Sequence, residues 1–191
     1  MIRKACKADI PAIAAIYDRL HDAEEAGKAE IGWVRGVYPT KRTAKAALER
    51  GDLFVMEEGG KVVGAAILNQ TQVPEYYGAP WQFPARDEEV MVLHTLTIDP
   101  NTGGKGYGKA LIDFLVRQYA GCYALLQVGT GDSPLTVPFY EKCGFVRWHR
   151  IPNFFTDHYD HPIYEAGVQL VDMVYLQRKL CHPACTTGSG V

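Results

Sequence analysis

Residues 103–108 read Gly-Gly-Lys-Gly-Tyr-Gly, and this glycine turn lies between an apolar stretch and a segment with apolar residues at helical spacing. Glycine permits positive φ angles and lets a ligand approach the backbone closely. A helix that starts near Lys105 leaves its first N–H groups without partners, and its dipole favours an anion there. Lys105 and Lys109 add positive charge. The segment therefore predicts a turn that binds phosphate or pyrophosphate through main-chain N–H groups.

Two common phosphate-binding patterns do not fit this turn. A Walker loop needs a Lys-Ser or Lys-Thr pair after a glycine, and the chain contains none. A Rossmann loop expects an acidic residue at the end of the next strand, and the predicted strand at residues 123–128 carries no acid. A merely flexible glycine turn remains the simplest alternative.

A second stretch, Phe139-Tyr140-Glu141-Lys142-Cys143-Gly144-Phe145, follows the turn downstream. It is similar to the [FL]-Y-E-K-x-G-F motif of the GNAT N-acetyltransferases. The upstream sequence Ile98-Asp99-Pro100, with the glycine turn and Lys109-Ala110-Leu111, resembles the coenzyme A pyrophosphate loop of the same family, [QR]-x-x-G-x-[GA]. Gly103 stands where that pattern has Gln or Arg, which places most of the expected binding on the N–H groups of residues 104–110.

The resemblance implies an α/β fold, in which helices flank a mixed central sheet. The N-terminal half of that sheet is expected to be antiparallel, and its central parallel strands are expected to splay apart after residues 92–98. The pantetheine arm of acetyl-CoA would lie between them and pair with the backbone of Leu96 and Ile98. The cofactor-binding residues that the resemblance implies are Leu96, Thr97, Ile98, Gly103, Gly104, Lys105, Gly106, Tyr107, Gly108, Lys109, Ala110, Ser133, Phe139 and Tyr140.

The catalytic roles also follow from the resemblance. Tyr140 is the expected acid that protonates the departing thiolate. His94 is the first candidate for the base, since its ordinary pKa suits proton transfer near neutral pH and some relatives have a histidine at this place. Glu89, with its neighbour Glu88, ranks next. Gln127 stands where some relatives have a glutamate base, and Ser133 stands where they have a cofactor-binding asparagine.

Two aromatic-rich loops, residues 69–88 and 152–167, interrupt the regular pattern of the chain. With a further loop at residues 31–38, they are candidates for the wall of a substrate pocket, although simple packing explains them equally well. The pocket residues that we expect are Trp33, Tyr76, Trp81 and Phe155.

The elements that position these residues alternate along the chain. An apolar stripe from Ile10 to Leu20 predicts a first helix, and two strands around residues 58–61 predict a hairpin. Strands at 122–128, 145–151 and 169–176, with a short helix at 136–142, follow the glycine turn. We expect a single domain over residues 1–180 and a disordered tail at 181–191.

Composition narrows the function classes. A net charge of −2 gives no basic field for nucleic acid, and no apolar run reaches the ~18 residues that span a membrane. The N-terminus lacks a signal peptide, so we expect a cytoplasmic protein. The five cysteines form no disulfide pattern, and Cys181-His182-Cys185 lacks further metal ligands, so no metal is expected.

These observations predict an acetyl-CoA-dependent N-acetyltransferase that acts on a primary amine. The acceptor is a small amine, an amino acid, an antibiotic or a protein N-terminus. The alternative is a non-catalytic module of the same fold that binds acyl-CoA. Many relatives are homodimers, so a homodimer is among the assemblies that the resemblance allows.

Overall fold

The computed structural model describes residues 1–29, 31–77 and 79–180; the tail predicted at 181–191, with its cysteines, lies outside the described residues. In chain order the strands and helices are β1 (Ile2–Lys4), α1 (Ile10–Glu25), α2 (Lys41–Arg50), β2 (Leu53–Glu58), β3 (Lys61–Asn69), β4 (Val90–Ile98), α3 (Tyr107–Tyr119), β5 (Leu125–Gly131), α4 (Thr136–Lys142), β6 (Val146–Ile151), α5 (Phe154–His158), β7 (Ile163–Glu165), β8 (Val168–Leu170) and β9 (Met173–Lys179).

The central sheet has the strand order β1-β2-β3-β4-β5-β9-β6 within the described residues. Its N-terminal strands pair antiparallel, whereas β4 and β5 run parallel. The mixed α/β sheet that we predicted is thereby confirmed. A separate two-stranded hairpin is formed by β7 and β8.

The parallel pair opens along its length. Only the first three residues of β4 form pairs with the first three residues of β5, with Val90 opposite Leu125 and Val92 opposite Gln127. β4 then continues to Ile98 and β5 continues to Gly131, so the strands diverge and leave a cleft between them. The opening begins after Val92, so the central parallel strands splay apart as the resemblance implied.

Helices cover both faces of the sheet because successive strand residues point to opposite sides. On β2, Phe54 faces the core beneath α3 and α4, whereas Leu53 and Val55 face the core beneath α1 and α2. The stripe predicted for the first helix supplies the buried residues Ile13, Ile16 and Tyr17. This two-sided burial fixes β4 and β5 as the rigid walls of the cleft.

The structure corrects several element boundaries. The helix expected near Lys105 begins at Tyr107, and the strand expected at 122–128 begins at Leu125. The final strand expected at 169–176 is divided into β8 and β9, and the aromatic loop before it contains α5 and β7. These elements are too short to show a clear periodicity in sequence. Among the described residues, no helix is long and apolar enough to cross a membrane.

Candidate active site

The glycine turn presents free backbone donors at the start of α3. Gly104 and Gly106 have φ angles of 79° and 74°, and α3 begins directly afterwards. Within the described part of the chain, no backbone acceptor takes the N–H groups of residues 103–109, whereas the N–H of Ala110, which the resemblance assigns to the ligand, donates to Gly106 O at 3.0 Å. Arg19 holds the base of the turn, since its guanidinium contacts both carboxylate oxygens of Asp99 at 3.1 and 2.7 Å. The geometry therefore suits a phosphate ligand.

The turn is packed against the tyrosine motif. A Cβ added to Gly108 would lie 3.1 Å from Cζ of Phe139, so the first turn of α3 contacts α4 closely. Lys109 points along the helix and pairs with Asp113 at 2.5 Å, whereas Nζ of Lys105 lies 5.7 Å from the ring centroid of Tyr107. The contact at Gly108 brings the two sequence motifs together.

A cavity of about 530 Å³ occupies the cleft between the diverging strands. Its walls come from β4, the end of β5, the start of α4, the segments 31–38 and 71–73, and residues of α1, α5, β7, β8 and β9. Thr97 lines the cavity beside Leu96 and Ile98, and none of these three residues pairs with β5. Residues predicted to bind the cofactor that line this cavity are Leu96, Thr97, Ile98, Phe139 and Tyr140.

A bulge in β4 lies at the middle of this wall. The register with β3 shifts between Ala65 and Ile67, and Thr95 has a φ angle of 45°. A positive φ strains the backbone of a β-branched residue, and such strained residues are common at functional sites. Thr95 Oγ1 forms a hydrogen bond with the hydroxyl of Tyr38, which ties the loop after α1 to the bulge.

Tyr140 lines the cavity from α4 and is only 7% exposed. Its ring lies between Phe139 and Phe145, with centroid distances of 5.2 and 5.5 Å. Burial raises the pKa of the Tyr140 phenol well above its ordinary value, and the Cys143 thiol and Glu165 carboxylate act in the same direction. The hydroxyl therefore stays protonated and can donate a proton or a hydrogen bond.

His94 lines the same cavity from β4. Its Nε2 lies 3.0 Å from Oδ1 of Asn69, the last residue of β3. Burial lowers the pKa of His94 below its ordinary value of 6.5, although the backbone of Thr71 opposes this change. The imidazole is thus neutral at pH 7 and able to accept a proton.

Comparison with known proteins identifies the family of this fold. The sequence model of the Acetyltransferase (GNAT) family matches residues 14–145, which is more than half of the chain. This protein belongs to the GNAT acetyltransferase family. Acetyl-CoA is the co-substrate of that family.

Individual relatives are distant from this GNAT acetyltransferase. The chain is 29% identical over 140 residues to the uncharacterized N-acetyltransferase YvbK of Bacillus subtilis, covering 72% of this chain and 81% of that protein. It is 29% identical over 102 residues to the S-(2-succino)cysteine N-acetyltransferase of the same organism, covering 49% and 54%. A GNAT family acetyltransferase from Elizabethkingia anophelis, solved with acetyl-CoA bound, superposes with a TM-score of 0.63 at 22% identity, over 94% of this chain and 97% of that one.

Two polar residues that depart from the GNAT pattern form hydrogen bonds within the protein. Ser133 is buried, and its Oγ accepts hydrogen bonds from the N–H groups of Leu135 and Thr136 at the start of α4. Gln127 is fully buried and accepts a hydrogen bond from Gln177. Both side chains therefore order the scaffold of this acetyltransferase at positions where some relatives are expected to have functional residues.

The second candidate base of this GNAT acetyltransferase lies elsewhere. Glu89 belongs to the turn Asp87–Glu89 before β4, and Arg86 contacts its carboxylate at 2.9 Å and that of Glu88 at 3.1 Å. The hydrogen bond from Arg86 holds the pKa of Glu89 below its usual range, which makes it a weaker base. The structure therefore brings His94, and neither glutamate, together with Tyr140.

The expected substrate-pocket residues of this acetyltransferase separate into two groups. Trp33 and Phe155 line the cavity. Tyr76 and Trp81 stack on each other at 4.6 Å and pack on Tyr175, which itself lines the cavity. Tyr76 and Trp81 thus support the wall from behind. Among the described residues, no group of three His, Cys, Asp or Glu side chains is arranged to hold a metal ion.

Three residues that line the cavity of this GNAT acetyltransferase were not predicted from the sequence as site residues. Tyr38 and Glu165 lie in the segments 31–38 and 152–167 that were expected to border the pocket, but neither was singled out, and Thr95 is an ordinary strand residue until its backbone angle is known. Tyr38 lies in the segment at 31–38 that we had associated with a pocket, so its aromatic ring was a usable hint. Glu165 is the last residue of β7, within the second aromatic loop at 152–167.

Proposed function

We propose that this protein is an acetyl-CoA-dependent N-acetyltransferase that transfers the acetyl group to a primary amine by direct attack on the thioester. The observation that carries the proposal is that one cavity contains the unpaired edge of β4, the neutral His94 and the protonated Tyr140. The general roles of base and acid in acyl transfer need these two protonation states at neutral pH.

The residues that would hold the co-substrate lie along a continuous path. The free N–H groups of residues 104–109 bind the pyrophosphate, with Lys105 nearby, and the backbone of Leu96 and Ile98 pairs with the pantetheine arm. Bound acetyl-CoA supplies the thioester that the amine attacks. Ser133 is engaged with α4 and contributes by fixing that helix instead of by a direct contact.

The protein's own groups then move the protons. The imidazole of His94 accepts a proton from the acceptor amine, and the hydroxyl of Tyr140 gives a proton to the departing sulfur. Trp33 and Phe155 supply an apolar wall that limits the access of water to the acceptor. The alternative of a non-catalytic acyl-CoA-binding module receives no support from the comparisons, whose family is one of acetyltransferases.

The acceptor named for the S-(2-succino)cysteine N-acetyltransferase is not assigned to this protein, because the match covers only about half of that relative. The acceptor class is open among small amines, amino acids, antibiotics and protein N-termini. A cytoplasmic location and a homodimer stay predictions.

A thiol-release assay with acetyl-CoA and a panel of primary amines tests the proposal, with mass spectrometry to identify the acetylated product. We expect thiol release that depends on at least one amine and yields its N-acetyl derivative. Tight binding of acetyl-CoA with no turnover on any amine, peptide N-termini included, would favour the binding module.

A further inference from the structure

Glu165, the last residue of β7, holds a carboxylate against α4 beside the proposed acid. Its Oε1 accepts a hydrogen bond from Thr136 Oγ1 at 2.5 Å. Thr136 begins α4, and Tyr140 lies four residues later, so both side chains lie on one face of the helix, one turn apart. Glu165, Thr136 and Tyr140 all line the cavity. The carboxylate is therefore close to the reacting end of the cavity.

The second carboxylate oxygen of Glu165 can accept a hydrogen bond that nothing in the described residues donates. Oε2 of Glu165 is buried, and in the described part of the chain it has no hydrogen-bond partner. A buried charged oxygen without a partner is costly unless a ligand supplies one. Because Glu165 lines the cavity, a ligand bound there can supply this partner.

The position of Glu165 is set by rigid structure. The hairpin of β7 and β8 turns at Ala166 and Gly167, and residue Ile31 bridges to the backbone of Glu165. Gly32 packs against Ile163 so closely that a Cβ would lie 2.7 Å from its Cγ2. A carboxylate held in this way is preorganised for a ligand instead of being free to move into solvent.

The surroundings favour a cation with an apolar body. Among the described residues that line the cavity, Glu165 is the one acidic side chain, and the lining includes no lysine and no arginine. Aromatic rings of Trp33, Tyr38, Phe155 and Tyr159 form the wall, with Trp33 and Tyr38 5.9 Å apart and Phe155 stacked on Tyr159 at 5.8 Å. Such rings attract cations and bury apolar groups.

We propose that Glu165 is the acceptor-binding carboxylate of this site, which receives the acceptor as an ammonium cation and disfavours acceptors that carry a carboxylate beside the amine. His94 takes the first ammonium proton so that the neutral amine can attack, and the proton that the nitrogen loses on forming the amide replaces the one that Tyr140 gives to the sulfur. The substrate class is then a cationic amine with an aromatic or apolar body, in preference to an α-amino acid. This inference rests on the proposed N-acetyltransferase function and deepens it by defining the acceptor.

The test compares two ligands that differ by one carboxylate. Binding of phenethylamine and of phenylalanine to the full chain loaded with coenzyme A is measured by titration calorimetry, so that no turnover is needed. We expect phenethylamine to bind at least about tenfold more tightly, since a like charge beside a half-buried carboxylate is strongly disfavoured. Glu165→Gln, which keeps an oxygen for Thr136, should reduce this preference to about threefold or less.

Two further variants make the outcome decisive. Glu141→Gln makes the same charge change on an exposed residue of α4 and should leave the preference unchanged. Glu165→Asp keeps the charge and should keep the preference, which covers the case in which Glu165→Gln does not fold. An unchanged preference in Glu165→Gln, equal binding of the two ligands to the native protein, or binding of neither would overturn the proposal. A silent thiol-release assay with normal binding would instead count against the proposed enzyme function alone.

Discussion

Nε2 of His94 lies 3.0 Å from Oδ1 of Asn69, and this contact determines which ring nitrogen can act as a base. The amide nitrogen of Asn69 donates to Oδ2 of Asp52 at 2.9 Å, and Oδ1 also accepts from the N–H of Thr71 at 2.8 Å. These two contacts orient Oδ1 as an acceptor toward the imidazole. Nε2 must then carry the hydrogen, and Nδ1 is left with the lone pair that can take a proton.

Replacement of His94 by alanine should lower kcat roughly 10²- to 10⁴-fold, because the base is lost. In the native enzyme, activity should rise with pH as His94 loses its proton, and that rise should lie below pH 6.5 because burial lowers its pKa. The rise should vanish in His94→Ala, whereas the later rise from deprotonation of the amine should remain. Steady-state kinetics across pH 5–9 measures both, with the exposed His161→Ala as control. An unaltered profile would remove His94 from the mechanism.

Asn69→Ala should act through His94 without touching the reactants. Loss of the acceptor for the Nε2 hydrogen makes the charged imidazolium less stable, so the pKa of His94 should fall further and the first rise should move to lower pH. The value of kcat should fall roughly three- to tenfold because the ring is no longer held in one tautomer. Affinity for acetyl-CoA should not change.

The informative comparison for Asn69 is Gln70→Ala, which removes an exposed neighbouring amide. If Asn69→Ala only destabilised the fold, it would lower kcat without moving the pH profile. Asn69 would then be structural, and the positioning role would be rejected.

Tyr140→Phe should lower kcat by about 10²-fold or more while acetyl-CoA binds as before, since only the hydroxyl that protonates the sulfur is removed. Because burial raises the pKa of Tyr140, the native enzyme should lose no activity from ionisation of this phenol below about pH 10. Calorimetry of acetyl-CoA binding and single-turnover kinetics separate the two effects. Normal turnover in the variant would assign the proton to water.

Gly106→Ala should weaken acetyl-CoA binding roughly 5- to 30-fold, because a φ angle of 74° costs an alanine about 1–2 kcal/mol and the turn will rearrange. No atom lies within 4 Å of the added Cβ, so the effect comes from the backbone alone. Gly121→Ala, after the other end of α3, also meets no atom and has no positive φ, which makes it the matched control. Equal affinities in the two variants would show that the conformation of the turn is unimportant for binding.

Local sequence was sufficient for the parts of this protein that depend on neighbouring residues. The apolar stripe of α1, the hairpin of β2 and β3, and the glycine turn before α3 are set by periodicity and by backbone freedom within a few residues. The two motifs at 103–108 and 139–145 pointed to the family, and through it to the mixed sheet.

Only the tertiary structure decided which side chains meet. The bulge at Thr95, the removal of Glu89 from the cavity and the place of Tyr76 and Trp81 behind Tyr175 depend on strand register and on packing between distant segments. Glu165 is 25 residues from Tyr140 in the chain, in a hairpin too short to show a pattern, and it reaches the cavity because β7 docks on α4 and on residue 31. Contacts of this kind arise from the folding of the whole chain, so spacing along the sequence could not reveal them.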